Sequence, residues 1–71
     1  MNRNAVSSST VESVGYDSDS SVLEVEFRNG SMYQYFNVPK SVFEGLQSAA
    51  SVGRYLDKHV IKAGYTYQRV S

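Results

Sequence analysis

The sequence predicts a small α+β domain of order β-β-β-α-α-β, an antiparallel meander of three strands, two short helices and a C-terminal strand that joins the sheet. Three observations carry that reading. Residue types alternate along Val22–Phe27, Asn29-Gly30 interrupts the alternation, and Pro39 opens a run with helical spacing. A chain of 71 residues is one domain near the lower size for unaided folding, and buries only about 60% of the surface its unfolded form exposes. Its 41% hydrophobic content, with six Tyr and three Phe, supplies a small core. There is no Cys, so neither a disulfide framework nor a thiolate metal site can brace it.

Residues 1–9 are polar and aperiodic and read as a flexible N-terminal arm, leaving 10–71 as the single domain. The start lacks the apolar stretch of a signal peptide, and no run approaches the ~18 apolar residues of a membrane helix. A cytoplasmic protein without a membrane role is expected. The first strand is Thr10–Tyr16, with Val11, Val14 and Tyr16 as its strand formers, and Asp17–Ser21 is turn chemistry. Asp17-Ser18-Asp19 opens like a calcium loop, but Val22 stands where that loop needs Gly and Arg28 where it needs Glu.

Val22–Phe27 puts Leu23, Val25 and Phe27 on one side and Glu24 and Glu26 on the other. Asn29-Gly30 suits a two-residue type I′ turn, since both central positions need positive φ. In that register Phe27 faces Met32, Glu26 faces Tyr33 and Glu24 faces Tyr35. The tyrosines then stand on the outer face beside two carboxylates. A bulge with a three-residue loop would slip the register by one and bury them instead.

Helix one is expected over about 39–50, with Val42, Phe43, Leu46 and Ala49 on one stripe. Ser51 can cap a second helix with Val52, Tyr55, Leu56 and Val60 on its apolar side, and Gly64 can end it. Tyr65–Val70 alternates again and reads as the last strand.

Catalysis has little to work with. His59 is the one His, and Asp57 lies two positions away, about 200° around a helix, so the two cannot form an orienting pair. No enzyme activity, metal or cofactor is expected. Formal charge is zero, but it is unevenly placed. Residues 1–37 hold Arg3 and Arg28 against five carboxylates, and 38–71 hold five cations against Glu44 and Asp57.

Two binding features follow. Arg54, Lys58 and Lys62 recur every four residues along one side of helix two, and Arg69 lies in the last strand, so phosphate or an acidic partner could dock. Tyr33, Tyr35, Tyr65 and Tyr67 form two Tyr-x-Tyr segments whose rings could stack on bases. In the type I′ register Glu24 and Glu26 oppose phosphate on that face. Together these residues suit single-stranded RNA, against plainer readings in which the cations are the solvated face of helix two and the tyrosines pack on their strand neighbours. The alternative is a protein-protein interaction adaptor, or a phage-encoded protein directed at its host, working through a sheet edge or the tyrosine face.

Val14-Gly15-Tyr16-Asp17, Leu23–Phe27, Gly30–Pro39 with its central Tyr33-Gln34-Tyr35, and Gly53-Arg54-Tyr55-Leu56 leading to Tyr65-Thr66-Tyr67 resemble the KTSC domain. That domain is named after the C-terminus of some lysyl-tRNA synthetases and also occurs as small free-standing bacterial and phage proteins. The likeness covers about residues 7–70. The resemblance implies no established activity, and RNA binding is suggested by the synthetase association.

Overall fold

The computed structural model describes residues 3–71. Its order is β1 Arg3–Ala5, β2 Val11–Asp17, β3 Val22–Phe27, β4 Met32–Tyr35, α1 Lys40–Ser48, α2 Val52–Leu56, a π-helical segment Asp57–Ile61, and β5 Tyr67–Arg69. The strands make one antiparallel sheet in the order β1-β2-β3-β4-β5. Four strands precede the helices rather than the expected three. The additional strand lies in the stretch read as a flexible arm; Met1 and Asn2 of that arm lie outside the described residues. Among the described residues no helix is long and apolar enough to cross a membrane.

β1 escapes a sequence reading because its three residues are exposed and polar or small, with no apolar alternation. What holds it is a cross-strand row. Arg3 lies opposite Gly15, and Gly15 lies opposite Glu24 on the next strand. With no side chain at Gly15 in the way, the Arg3 guanidinium crosses β2 and donates to Glu24 Oε2 at 3.2 Å.

The hairpin between β3 and β4 departs from the type I′ register. Gly30 N donates to Phe27 O at 3.0 Å and Phe27 N to Ser31 O at 2.8 Å, enclosing a three-residue loop, Arg28-Asn29-Gly30. Gly30 takes φ +93°, whereas the non-glycine residues with positive φ are Ser21 and Asn37. This is a type I turn closed by a glycine bulge. Asn29 keeps negative φ and spends its side chain on the turn, its Oδ1 accepting from Ser31 N at 3.0 Å and Ser31 Oγ at 2.7 Å. Leu23 now pairs with Tyr35, Val25 with Tyr33, Glu24 with Gln34 and Glu26 with Met32. Every β4 side chain changes face relative to the type I′ expectation, as the period of two requires.

Both helices cover the face that carries Val14, Leu23, Val25 and Tyr35. Val11 of β2, Leu46 of α1, Val52 and Leu56 of α2, Val60 and the connecting Val38 complete the buried cluster. Phe43 of α1 stacks on Tyr16 with ring centroids 5.3 Å apart, and the Tyr16 hydroxyl donates to Val38 O. α1 begins after Pro39 and ends at Ser48, where Ala49 turns extended. Ser51 caps α2 as its hydroxyl position predicts, accepting from Arg54 N at 3.4 Å. Asp17 shapes the β2–β3 turn by accepting from Asp19 N at 3.0 Å. Hydrogen bonds from the Ser20 side chain and the Asp19 backbone hold its carboxyl below the usual carboxylate range.

Candidate functional site: an aromatic groove beside the C-terminal strand

Among the described residues β5 pairs only with β4, placing Tyr67 opposite Tyr35 and Arg69 opposite Tyr33. The helices do not close over this edge of the sheet, and an open groove of about 350 Å³ remains. Tyr33 and Tyr67 line one side over Tyr35, and Ile61 of the π-helical segment and Tyr65 of the stretch before β5 line the other. Phe27, Asn29 and Ser31 of the hairpin loop close one end.

The rings make a continuous cluster. Tyr67 lies 5.8 Å from both Tyr33 and Tyr35, Tyr33 and Tyr35 are stacked at 6.4 Å and 24°, and Phe27 meets Tyr33 edge-on at 5.8 Å and 85°. Their exposure differs sharply. Tyr35 is 5% exposed and forms the floor, while Tyr67 is 62% exposed and stands at the rim. Tyr33 and Tyr65 are half-buried between those limits. Burial first, and then the neighbouring Tyr33 and Tyr67 phenols, push the Tyr35 hydroxyl above the ordinary tyrosine pKa. The floor therefore stays neutral, and the groove offers π-faces with no charge of its own at neutral pH.

The four tyrosines read from the sequence thus come together, but on the helix-covered side of the sheet rather than the outer one. The carboxylates expected beside them are on the opposite face. There Glu24 accepts from Arg3 and, at 3.0 Å, from Gln34 Nε2, and Glu26 accepts from Ser13 Oγ at 3.0 Å. The electrostatic objection to phosphate near the tyrosines goes with them.

The basic residues do not assemble around the groove. Arg69 shares the Tyr33 row, and its Nε donates to Ser71 O at 2.9 Å. Arg54 lines a separate depression beside Ser7–Thr10, and Lys58 is exposed. The π-helical turn commits the last cation of the four-residue stripe, Lys62, to Asp57. Lys62 N bonds to Asp57 O at 2.9 Å, five residues back, and Lys62 Nζ pairs with Asp57 Oδ2 at 3.2 Å. Both side chains are more than half exposed, so that pair contributes little stability. His59 is exposed and packs its ring on Tyr55, centroids 4.3 Å apart. Sequence reasoning missed Phe27 and Ile61 as groove residues. The signal for Ile61 was a large apolar side chain lying off the apolar stripe of helix two, and it is 49% exposed.

Comparison with known proteins places this architecture. The KTSC domain family matches residues 7–65. A protein of Stutzerimonas stutzeri is 40% identical over 70 residues, covering 99% of both chains. The lysine–tRNA ligase of Nostoc punctiforme is 36% identical over 63 residues, which is 89% of this chain and 11% of the ligase. The crystal structure of a KTSC domain protein from Yersinia pestis superposes with a TM-score of 0.91 at 40% identity, covering 99% of this chain and 97% of that one. The chain belongs to the KTSC domain family.

Proposed function

We propose that this chain is a non-catalytic binding module whose aromatic groove receives an unpaired base of single-stranded RNA. The observation that carries the reading is the gathering of Tyr33, Tyr65 and Tyr67 over the Tyr35 floor on a face cleared of Glu24 and Glu26. Exposed rings accept any base by its π-face, each stack contributing about 1 to 3 kcal/mol. Arg69, on the same strand face, is the cation placed to meet a flanking phosphate. The relatives add support of an associational kind, because a segment similar to this chain lies within lysine–tRNA ligases.

The test is an NMR titration of the full chain with a short oligouridine. Amides of Tyr33, Tyr65 and Tyr67 are expected to shift, the affinity to fall with added salt, and Tyr67→Ala to weaken binding by about 1 to 3 kcal/mol. Absence of any shift at low salt would remove the reading.

A second reading, a protein-interaction adaptor, is favoured by the exposed Tyr67 of the three-residue edge strand β5, with Val70 just after it and Ile61 of the π-helical segment also exposed. A partner peptide could extend the sheet there and seat a side chain in the groove. Binding of an extended apolar peptide that is indifferent to salt, together with no response to RNA, would select it.

A further inference from the structure

The groove is one end of a longer feature. It shares Phe27 and Asn29 with a second depression of about 390 Å³ that also takes in Arg28, Ser9 and Thr10. That one shares Ser9 and Thr10 with a third, about 490 Å³, between Ser7–Thr10 and the start of α2. We propose that single-stranded RNA follows this track, with a base in the aromatic groove, its backbone crossing the hairpin loop at Arg28, and a further phosphate between the Ser7–Thr10 hydroxyls and Arg54. The inference rests on the RNA reading above and moves the phosphate contacts from the Lys58–Lys62 side of the helical region to the hairpin loop and the serine-rich segment.

The three segments that build the track are distant in sequence but locked together. Arg28 N donates to Thr10 O at 2.9 Å, and Arg28 Nε donates to Ser8 O at 2.6 Å. Gly53 of α2 closes the other joint, since a Cβ there would lie 2.9 Å from Thr10 Oγ1. The track is therefore a fixed surface rather than three independent dents.

Its chemistry changes along its length. The aromatic end is uncharged and suits a base, while the far end is lined by four consecutive hydroxyl residues and a guanidinium. Ser8 Oγ accepts from Thr10 N and Val11 N, both at 3.2 Å, so its own proton is left to donate outward or to Thr10 Oγ1 at 3.4 Å. Two carboxylates meet the track, Asp57 as part of the lining of the third depression and Glu12 beside Arg28, and each has a cation. Glu12 Oε1 pairs with Arg28 Nη1 at 3.2 Å, and Asp57 pairs with Lys62. Arg54 makes no ion pair among the described residues and gives the far end its positive charge. Hydroxyl donors with a guanidinium complement a phosphodiester oxygen.

Length discriminates. Uridine monophosphate fits the groove alone, whereas hexauridylate can bridge groove and serine-rich pocket. NMR titration of the full chain should show the mononucleotide moving the Tyr33, Tyr65 and Tyr67 amides only, and hexauridylate moving Ser8, Thr10, Arg28 and Gly53 as well. Arg28→Gln and Arg54→Gln should each weaken hexauridylate about fivefold at about 0.1 M salt, because one phosphate contact to a single strand contributes ~0.7 to the log–log salt slope. Neither should change the affinity for the mononucleotide, which also certifies that the variants are folded. Hexauridylate shifts confined to the groove, or spreading to Lys58 and Lys62 while sparing Ser8–Thr10, would overturn the track and leave the RNA reading standing. Silence with both probes, including silence alongside saturation by an extended apolar peptide, would overturn the two together.

Discussion

The two faces of the β3–β4 hairpin are made by neighbouring residues of one backbone, yet they do different work. On the helix-covered face Leu23, Val25, Tyr33 and Tyr35 pair ring against aliphatic chain, and the assembly grades from a sealed floor to an exposed rim. On the open face Glu24, Glu26, Gln34 and Arg3 form a polar network in which Glu24 takes two donors and keeps only 13% of its side chain exposed. The first face couples stability to a binding surface; the second secures the edge strand β1. Which residues go to which face is decided by one residue of loop length. A two-residue turn would have mixed tyrosines with carboxylates and left neither a neutral groove nor a continuous polar row.

The most severe way to break this contrast is to remove the floor. Tyr35→Ala should cost about 3 to 5 kcal/mol, the range for deleting a large buried ring, while Tyr67→Ala should cost less than about 1 kcal/mol. Chemical denaturation of both variants measures the gap, and equal costs would contradict the graded wall. A smaller effect should appear in alkali. The folded chain holds the Tyr35 proton more tightly than the unfolded chain does, so this contribution is fully present below a pH of about 10 and is lost as pH rises through the folded-state pKa. Denaturation midpoints should therefore decline in that window, and Tyr35→Phe, which keeps the ring, should flatten the decline. The mildest change belongs to the open face. Arg3→Ala should cost about 1 kcal/mol or less and speed hydrogen exchange of the β1–β2 amides while leaving the groove tyrosines untouched.

Much of this arrangement was legible in the residues. The alternation of Val22–Phe27 identified Leu23 and Val25 as core, the Ser51 cap and the apolar positions Val52 and Leu56 placed α2, and Tyr65–Val70 was read as the last strand. The hairpin register was not decidable from Asn29-Gly30, because Gly at positive φ serves both the type I′ turn and the glycine bulge. What separates them is non-local: burial of Tyr35 beside Leu23, and of Tyr33 beside Val25, which no local propensity records. β1 was invisible for a related reason. Arg3 is meaningful only with Gly15 and Glu24, and those partners stand 12 and 21 residues further along the chain. The spacing of the basic stripe was legible but the pairing of Lys62 was not, because the π-helical turn brings it onto Asp57, five residues back, which a 3.6-residue turn would hold well away.

That wider turn has a lineage consequence. A π-helical turn is equivalent to an α-helix that has absorbed one added residue, so a version of the chain shortened by one between Asp57 and Ile61 could close into ordinary helix. Ile61 and everything after it would then rotate by roughly 100° about the axis, withdrawing the second wall and re-aiming the approach of Tyr65. A single codon at this place would set whether the tyrosine wall has anything facing it.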